Sequence, residues 1–123
     1  MARIEARPKR GEIYLMNFDP ALGSEIKGPR PALILQNNVG NEFAETTIVA
    51  AITSHKISTT VFPTSIHMPK GEGGLDVDSI LLLGQIRTID KIRLTKRLGS
   101  LSAARMSQVN KAAVISLGII SVE

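Results

Sequence analysis

Punctuation is the first limit on what this chain can fold into. Turn-forming clusters recur at short intervals: Asp19-Pro20, Gly28-Pro29, Asn37-Asn38 with Gly40, and Lys70-Gly71-Glu72-Gly73-Gly74. The segments between them are too short for long helices and are rich in apolar and β-branched residues, so they read as strands. The predicted strands run Glu12 to Phe18, Pro31 to Gln36, Thr46 to Thr53, Phe62 to Met68, Ser79 to Ile89, and a short one from Leu94 to Leu98. Ser102 then predicts the N-cap of a helix reaching about Leu117, with Met106, Val109, Ala113 and Leu117 as its core-facing stripe and Gly118 as its stop. Five or six strands and one C-terminal helix predict a small, strongly curved sheet or barrel with a helix packed on it. Residues 1–10, with Arg3, Arg7, Lys9 and Arg10, read as a short mobile basic arm, and residues 11–123 as a single domain opened by Gly11. Two polar loops stand out, residues 19–30 and 54–61; long loops in compact domains are often functional.

The residue inventory excludes several chemistries. No cysteine is present, so a disulfide scaffold, a zinc ribbon and a cysteine nucleophile are all ruled out. The only histidines are His55 and His67, too few for a histidine-rich metal site, and no metal or cofactor is expected. Asp76 and Asp78, with Glu72 as the one further acid nearby, read as a solvated turn rather than a calcium loop. The longest unbroken apolar run, Ile48 to Ile52, is far short of a membrane span, and no apolar segment follows the basic start as in a signal peptide, so a cytoplasmic protein is expected. The net charge of +4 suits a polyanionic partner but is a weak signal alone.

The segment richest in chemical information is residues 11–37. Pro29 fixes its own φ, and Pro31 pushes Arg30 toward extended angles, so Arg30 stands on a stiff backbone where a loop meets a buried strand. A rigid guanidinium forks two donors toward an oxyanion, which suits a phosphate site. The same arginine could instead satisfy loop carbonyls or pair with Glu25.

Arg10-Gly11-Glu12-Ile13-Tyr14, Phe18-Asp19-Pro20, Gly23-Ser24-Glu25 and Gly28-Pro29-Arg30-Pro31-Ala32 follow one another in an order and spacing that resembles the MazF/PemK family of toxin endoribonucleases. The resemblance continues through Ile48 to Thr53, Pro63-Thr64, and Gln85-Ile86-Arg87-Thr88-Ile89-Asp90, and spans roughly residues 10–120. It implies a mainly β fold with a C-terminal α-helix, a small SH3-like barrel of the CcdB/PemK type. It also implies a cytoplasmic homodimer that cuts single-stranded RNA at a short sequence and is neutralised by a MazE-like antitoxin lying across the RNA groove. By this resemblance Arg30 and Thr53 carry catalysis, while Ser24, Glu25 and Gln85 contact RNA or shape its pocket. Pro63-Thr64-Ser65 departs from relatives that have histidine at its third position.

The chemistry needs no metal. RNA brings its own nucleophile, the 2′-OH, and the enzyme must align it in line, remove its proton, stabilise the phosphorane and protonate the 5′ oxygen. The expected products are a 2′,3′-cyclic phosphate and a 5′-OH end. Arg30 suits charge stabilisation but is a poor base. Thr53 can orient a phosphate oxygen. His55, two residues on and on the same face if the strand extends, is a candidate proton carrier, with a solvated loop role as the alternative. His67, on an alternating strand, reads as structural. Gln85 and Arg87 share a strand face; Gln85 could read a base edge and Arg87 hold a phosphate, or both could serve cross-strand pairing. Lys91, Arg93, Lys96 and Arg97 form a basic cluster that is either a solvated face or a steering patch. Aromatics make up only 3% of the chain, so base readout should lean on hydrogen bonds and loop contacts rather than stacking; Tyr14 and Phe18 are expected to face the core or a sheet face.

Two other classes compete. One is a non-enzymatic toxin like the CcdB gyrase poisons, which depend on a tryptophan near the C-terminus; this chain has no tryptophan and ends Gly118-Ile119-Ile120-Ser121-Val122-Glu123. The other is a basic RNA-binding barrel without catalysis, which the presence of both Arg30 and Thr53 disfavours.

Overall fold

A computed structural model describes residues 6–54 and 63–121. Six strands form one antiparallel sheet: β1 (Glu12–Asn17), β2 (Pro29–Ile34), β3 (Thr46–Ser54), β4 (Ser65–Met68), β5 (Ser79–Asp90) and β6 (Leu94–Ser100), in the order β4-β5-β3-β2-β1-β6. Helix α1 (Asn38–Phe43) joins β2 to β3, and helix α2 (Ala103–Ser116) closes the chain. Short 3₁₀ turns lie at Glu72–Gly74 and Lys91–Arg93. Among the described residues no helix is long and apolar enough to cross a membrane.

The central strands alternate between two cores. Ile13, Leu33, Ala50 and Ile52 point to one face, where Leu81, Leu83 and the buried Val109 and Ala112 of α2 join them. Tyr14, Met16, Ala32, Ile34, Val49 and Ala51 point to the other, with Phe18, Ile89 and Leu94. Burial on both faces explains why β2 and β3 read as continuous apolar runs rather than alternating ones. Tyr14 and Phe18 are core residues, as expected.

The sheet does not close into a barrel: β4 and β6 are its edges. The first 3₁₀ turn packs against β6 at backbone contact; a Cβ on Gly74 would lie 2.1 Å from the Leu98 carbonyl oxygen, and Gly74 has φ +81°, so glycine is required twice over. The glycine cluster of residues 71–74 is therefore more than a strand breaker. Register slips shape the sheet further. In the β3–β5 ladder Ala50 pairs Ile86 but Ala51 pairs Leu82, so Leu83, Gly84 and Gln85 form a wide bulge.

Several local expectations change. Strand β2 begins at Pro29 and ends at Ile34, and β4 starts at Ser65, after Pro63 and Thr64 make a turn; Phe62 lies outside the described residues. Asn37 does not simply end a strand. Its side chain accepts the Gly40 N–H at 2.8 Å and caps α1, which the sequence reading missed. Ser102 caps α2 as predicted, accepting the Arg105 N–H at 3.1 Å. The stripe on α2 holds at Met106, Val109 and Ala113, which pack on the core, gains the buried Ala112, and loses Leu117, which is the C-cap and 61% exposed. Arg10 is anchored, donating Nε to the Leu35 carbonyl at 2.9 Å and Nη2 to Asn110 Oδ1 at 2.6 Å. The basic cluster also dissolves: Lys91 is buried with its Nζ on the Asn41 carbonyl, and Arg97 pairs with Glu12, 2.5 Å from Nε to Oε2.

Candidate active site

The ladder of β2 with β3 sets Ala32 opposite Ala51 and Leu33 opposite Ala50. Continued two residues toward the loop, the same register sets Arg30 opposite Thr53. The side chains meet: Arg30 Nη1 donates to Thr53 Oγ1 at 2.9 Å. Arg30 Nε donates to the Lys27 carbonyl at 2.7 Å. One edge of the guanidinium thus satisfies a loop carbonyl, as the structural reading of Arg30 has it, while the other reaches a threonine across the sheet. Both side chains are half-buried, so the cation is held rigidly without losing access to solvent. Glu25 accepts the Leu22 N–H and shapes the loop from within.

The β1–β2 loop is closed at its neck. Phe18 N–H donates to the Gly28 carbonyl at 2.9 Å, and Gly28 N–H donates to Asp19 Oδ1 at 3.1 Å; Gly28 has φ +72°, which glycine adopts without strain. The bulge in β5 aims Gln85 at this loop. Gln85 Oε1 accepts the Ile26 N–H at 3.2 Å and Nε2 donates to the Ser24 carbonyl at 3.4 Å. Arg87, two residues on, donates Nη1 to the Phe18 carbonyl at 2.7 Å. Between loop and strand lies a cavity of about 210 Å³ lined by Phe18, Glu25, Ile26, Gln85 and Arg87 among others. Gln85 and Arg87 therefore converge on one loop, as their shared face predicts, and both are bonded to backbone groups rather than to cross-strand side chains.

The remaining candidates lie elsewhere or beyond view. His55 lies outside the described residues, as do residues 55–61 of the predicted polar loop 54–61. His67 sits on edge strand β4 beside a groove of about 410 Å³ shared with α2, away from the loop. Asp78 accepts the Lys70 N–H at 2.8 Å, so it caps a turn. Among the described residues no group of histidine, cysteine and carboxylate side chains could hold a metal ion. Arg93 was read only as part of the basic cluster, yet its Nη1 donates to the carbonyls of Asn17 and Asp19, both at 2.9 Å. Its spacing from Arg87 gives no sign of this, because both reach β1 through the backbone.

Comparison with known proteins places this geometry. The model of the PemK-like, MazF-like toxins of type II toxin–antitoxin systems matches residues 9–117. The chain belongs to this toxin family. It is 47% identical over 111 residues to the endoribonuclease MazF of Staphylococcus saprophyticus, a match covering 90% of this chain and 92% of that one. The crystal structure of MazF from Deinococcus radiodurans superposes with a TM-score of 0.78 at 25% identity, covering 93% of this chain and 99% of that one. A mycobacterial endoribonuclease in complex with its cognate antitoxin shares the fold, with a TM-score of 0.76 at 23% identity over 94% of this chain and 99% of that one. The PemK/MazF match runs through both strands that bring Arg30 and Thr53 together and through the whole β1–β2 loop.

Proposed function

We infer that this toxin is an endoribonuclease that cuts single-stranded RNA by transesterification, leaving 2′,3′-cyclic phosphate and 5′-OH ends and so blocking translation. The observation that carries the mechanism is the 2.9 Å bond between Arg30 Nη1 and Thr53 Oγ1 beside a loop with its own cavity. In this reading the scissile phosphate lies against the Arg30 guanidinium, whose charge stabilises the phosphorane, and the Thr53 hydroxyl fixes both the guanidinium and a phosphate oxygen. The 2′-OH attacks phosphorus, its proton passes to a base, and the 5′ oxygen leaves with a proton. His55 is the candidate proton carrier. Ser24, Glu25, Gln85 and Arg87 line or close the loop side of the groove and select the RNA. No metal ion is needed to make the nucleophile.

The partner is a MazE-like antitoxin whose acidic, extended segment competes with RNA for the same groove, and both meet the toxin in the cytoplasm. The toxin acts as a homodimer. Leu117, Ile119 and Ile120 are 61%, 67% and 47% exposed at the C-terminal end and supply an apolar face for a second copy. Residues 11–123 form one domain, with residues 1–10 as its basic arm.

The test is cleavage of a long, mixed-sequence RNA by purified protein in EDTA. Wild type yields discrete fragments with cyclic phosphate ends. Arg30→Ala lowers the rate about 10²–10³-fold, the cost of one preorganised charge-stabilising donor, and Thr53→Ala on the order of tenfold, the worth of one hydrogen bond. A folded wild type that binds RNA without cutting it favours the RNA-binding barrel. Gyrase inhibition without cleavage favours the CcdB-like alternative.

A further inference from the structure

Arg93 has no place in the chemistry above, yet it sits at the end of a chain of bonds that leads to Arg30. It ends the 3₁₀ turn Lys91–Arg93, which Asp90 caps by accepting the Ile92 N–H at 2.9 Å. Its Nη1 carries two hydrogens, and two carbonyls accept from it, those of Asn17 and Asp19. These bonds fix the three residues at the start of the β1–β2 loop, where Asn17 Oδ1 also accepts the Asp19 N–H at 2.9 Å. Asp19 then grips the far side of the neck through the Gly28 N–H. Next to Gly28 is the Lys27 carbonyl, which receives Arg30 Nε. The aim of Arg30 is thus set by one strand contact, Thr53, and one loop contact, Lys27. The loop contact is only as well placed as the neck that Asp19 and Arg93 hold. A charge-assisted double contact from a half-buried guanidinium is suited to that task.

We propose that Arg93 is a positioning residue for RNA cleavage: through Asp19 and the loop neck it fixes the Lys27 carbonyl and hence the orientation of the Arg30 guanidinium. The proposal rests on the endoribonuclease reading. Arg87 also holds the neck, at the Phe18 carbonyl, but it lines the cavity and would mix positioning with RNA contact. Arg93 separates the two.

The experiment measures steady-state cleavage of a short single-stranded RNA carrying the wild type's cleavage sequence, with Arg93→Met, Arg93→Lys, Asp19→Ala and the double variant Arg93→Met/Asp19→Ala. Arg93→Met lowers kcat about 10–100-fold, the scale of a small misplacement of a catalytic group. KM stays within about twofold, and its salt dependence stays that of wild type, because no phosphate contact is lost. Arg93→Lys, which can still donate to both carbonyls, recovers part of kcat. The double variant costs no more than the larger single effect, since both act through one neck. The Arg30 Nε–H resonance, sharp in the wild-type NMR spectrum, broadens or shifts in Arg93→Met and in Asp19→Ala.

Unchanged kcat in Arg93→Met, or effects of Arg93 and Asp19 that add, overturns the proposal. So does a raised KM with a shallower salt slope, which would make Arg93 an RNA-backbone contact. If Arg93→Met fails to fold, Arg93→Lys and the exposed Asp19→Ala decide by the same kcat and resonance criteria. If wild type does not cut RNA, the functional reading has failed, and the Arg30 resonance still decides whether Arg93 sets its orientation.

Discussion

The role proposed for Arg30 makes two demands that normally conflict: a phosphate-binding cation must be accessible, and a catalytic one must be still. Here stiffness comes from Pro29 and Pro31 on either side and from bonds to Lys27 and Thr53, while the side chain stays half-buried. Arg30 was legible in the residues themselves, marked by the prolines on either side. Its partner Thr53 was implied only by the family resemblance, and the register that sets it opposite Arg30 is visible only in the structure. The roles of Gln85, Arg87 and Arg93 were less legible, because each bonds to backbone carbonyls or an amide, and a backbone acceptor leaves no trace in residue type. Tyr14 illustrates a different residue-scale effect. Burial, with the nearby Glu12 carboxylate, raises its phenol pKa above the usual 10.0, against a smaller lowering by Arg97. A raised folded-state pKa means the folded protein holds the proton more tightly, so this stability is fully present below about pH 10 and is lost as pH rises through the folded value. Urea unfolding above pH 10 should therefore show a steeper loss for wild type than for Tyr14→Phe; equal slopes would remove Tyr14 as the cause.

At the scale of elements, the strands were legible because short apolar, β-branched runs lie between turn residues, and α2 because Ser102 is a strong cap. The misses have physical causes. Helix α1 is six residues long, below the length at which periodicity shows, and it owes its existence to the Asn37 cap and to a polar knot in which Asn41 Oδ1 accepts from Thr47 and Gln36. The bulge at Leu83–Gln85 was missed although Gly84, a lone glycine inside a strand pattern, is a signal for one. The α2 stripe gains Ala112 and ends before Leu117 because of how the helix lies on the sheet, which tertiary packing decides. The cap itself gives a quantitative expectation. Ser102→Ala removes the acceptor of the Arg105 N–H and should cost about 1 kcal/mol in urea unfolding at an unchanged m value. A changed m would mean that α2 detaches rather than weakens.

At the scale of the molecule, one sheet serves two cores, and neighbouring residues of a single strand feed both. Leu33 faces the core under α2 and Ile34 the opposite core, each fully buried. Leu33→Ala and Ile34→Ala should each cost about 2–5 kcal/mol. Both should shift one common unfolding transition, because the strands cannot lose one face and keep the other. Two separate transitions in either variant would show the cores to be independent. The barrel-like sheet implied by the resemblance stays open at one seam, where β6 is covered by the Glu72–Gly74 turn instead of pairing onward. That leaves the β1–β2 loop as a separately anchored body, and the anchors have a consequence for how such a toxin can change over generations. Besides the side chains of Asn17, Asp19 and Glu25, the loop is moored through its main chain: Arg87, Arg93 and Gln85 grip carbonyls that every residue supplies and one amide that every residue but proline supplies. If the loop selects the RNA as proposed, mutations between Ala21 and Lys27 other than at Glu25 rewrite the face shown to a target while the moorings hold, so lineages can drift to new recognition sequences without passing through a loosened enzyme.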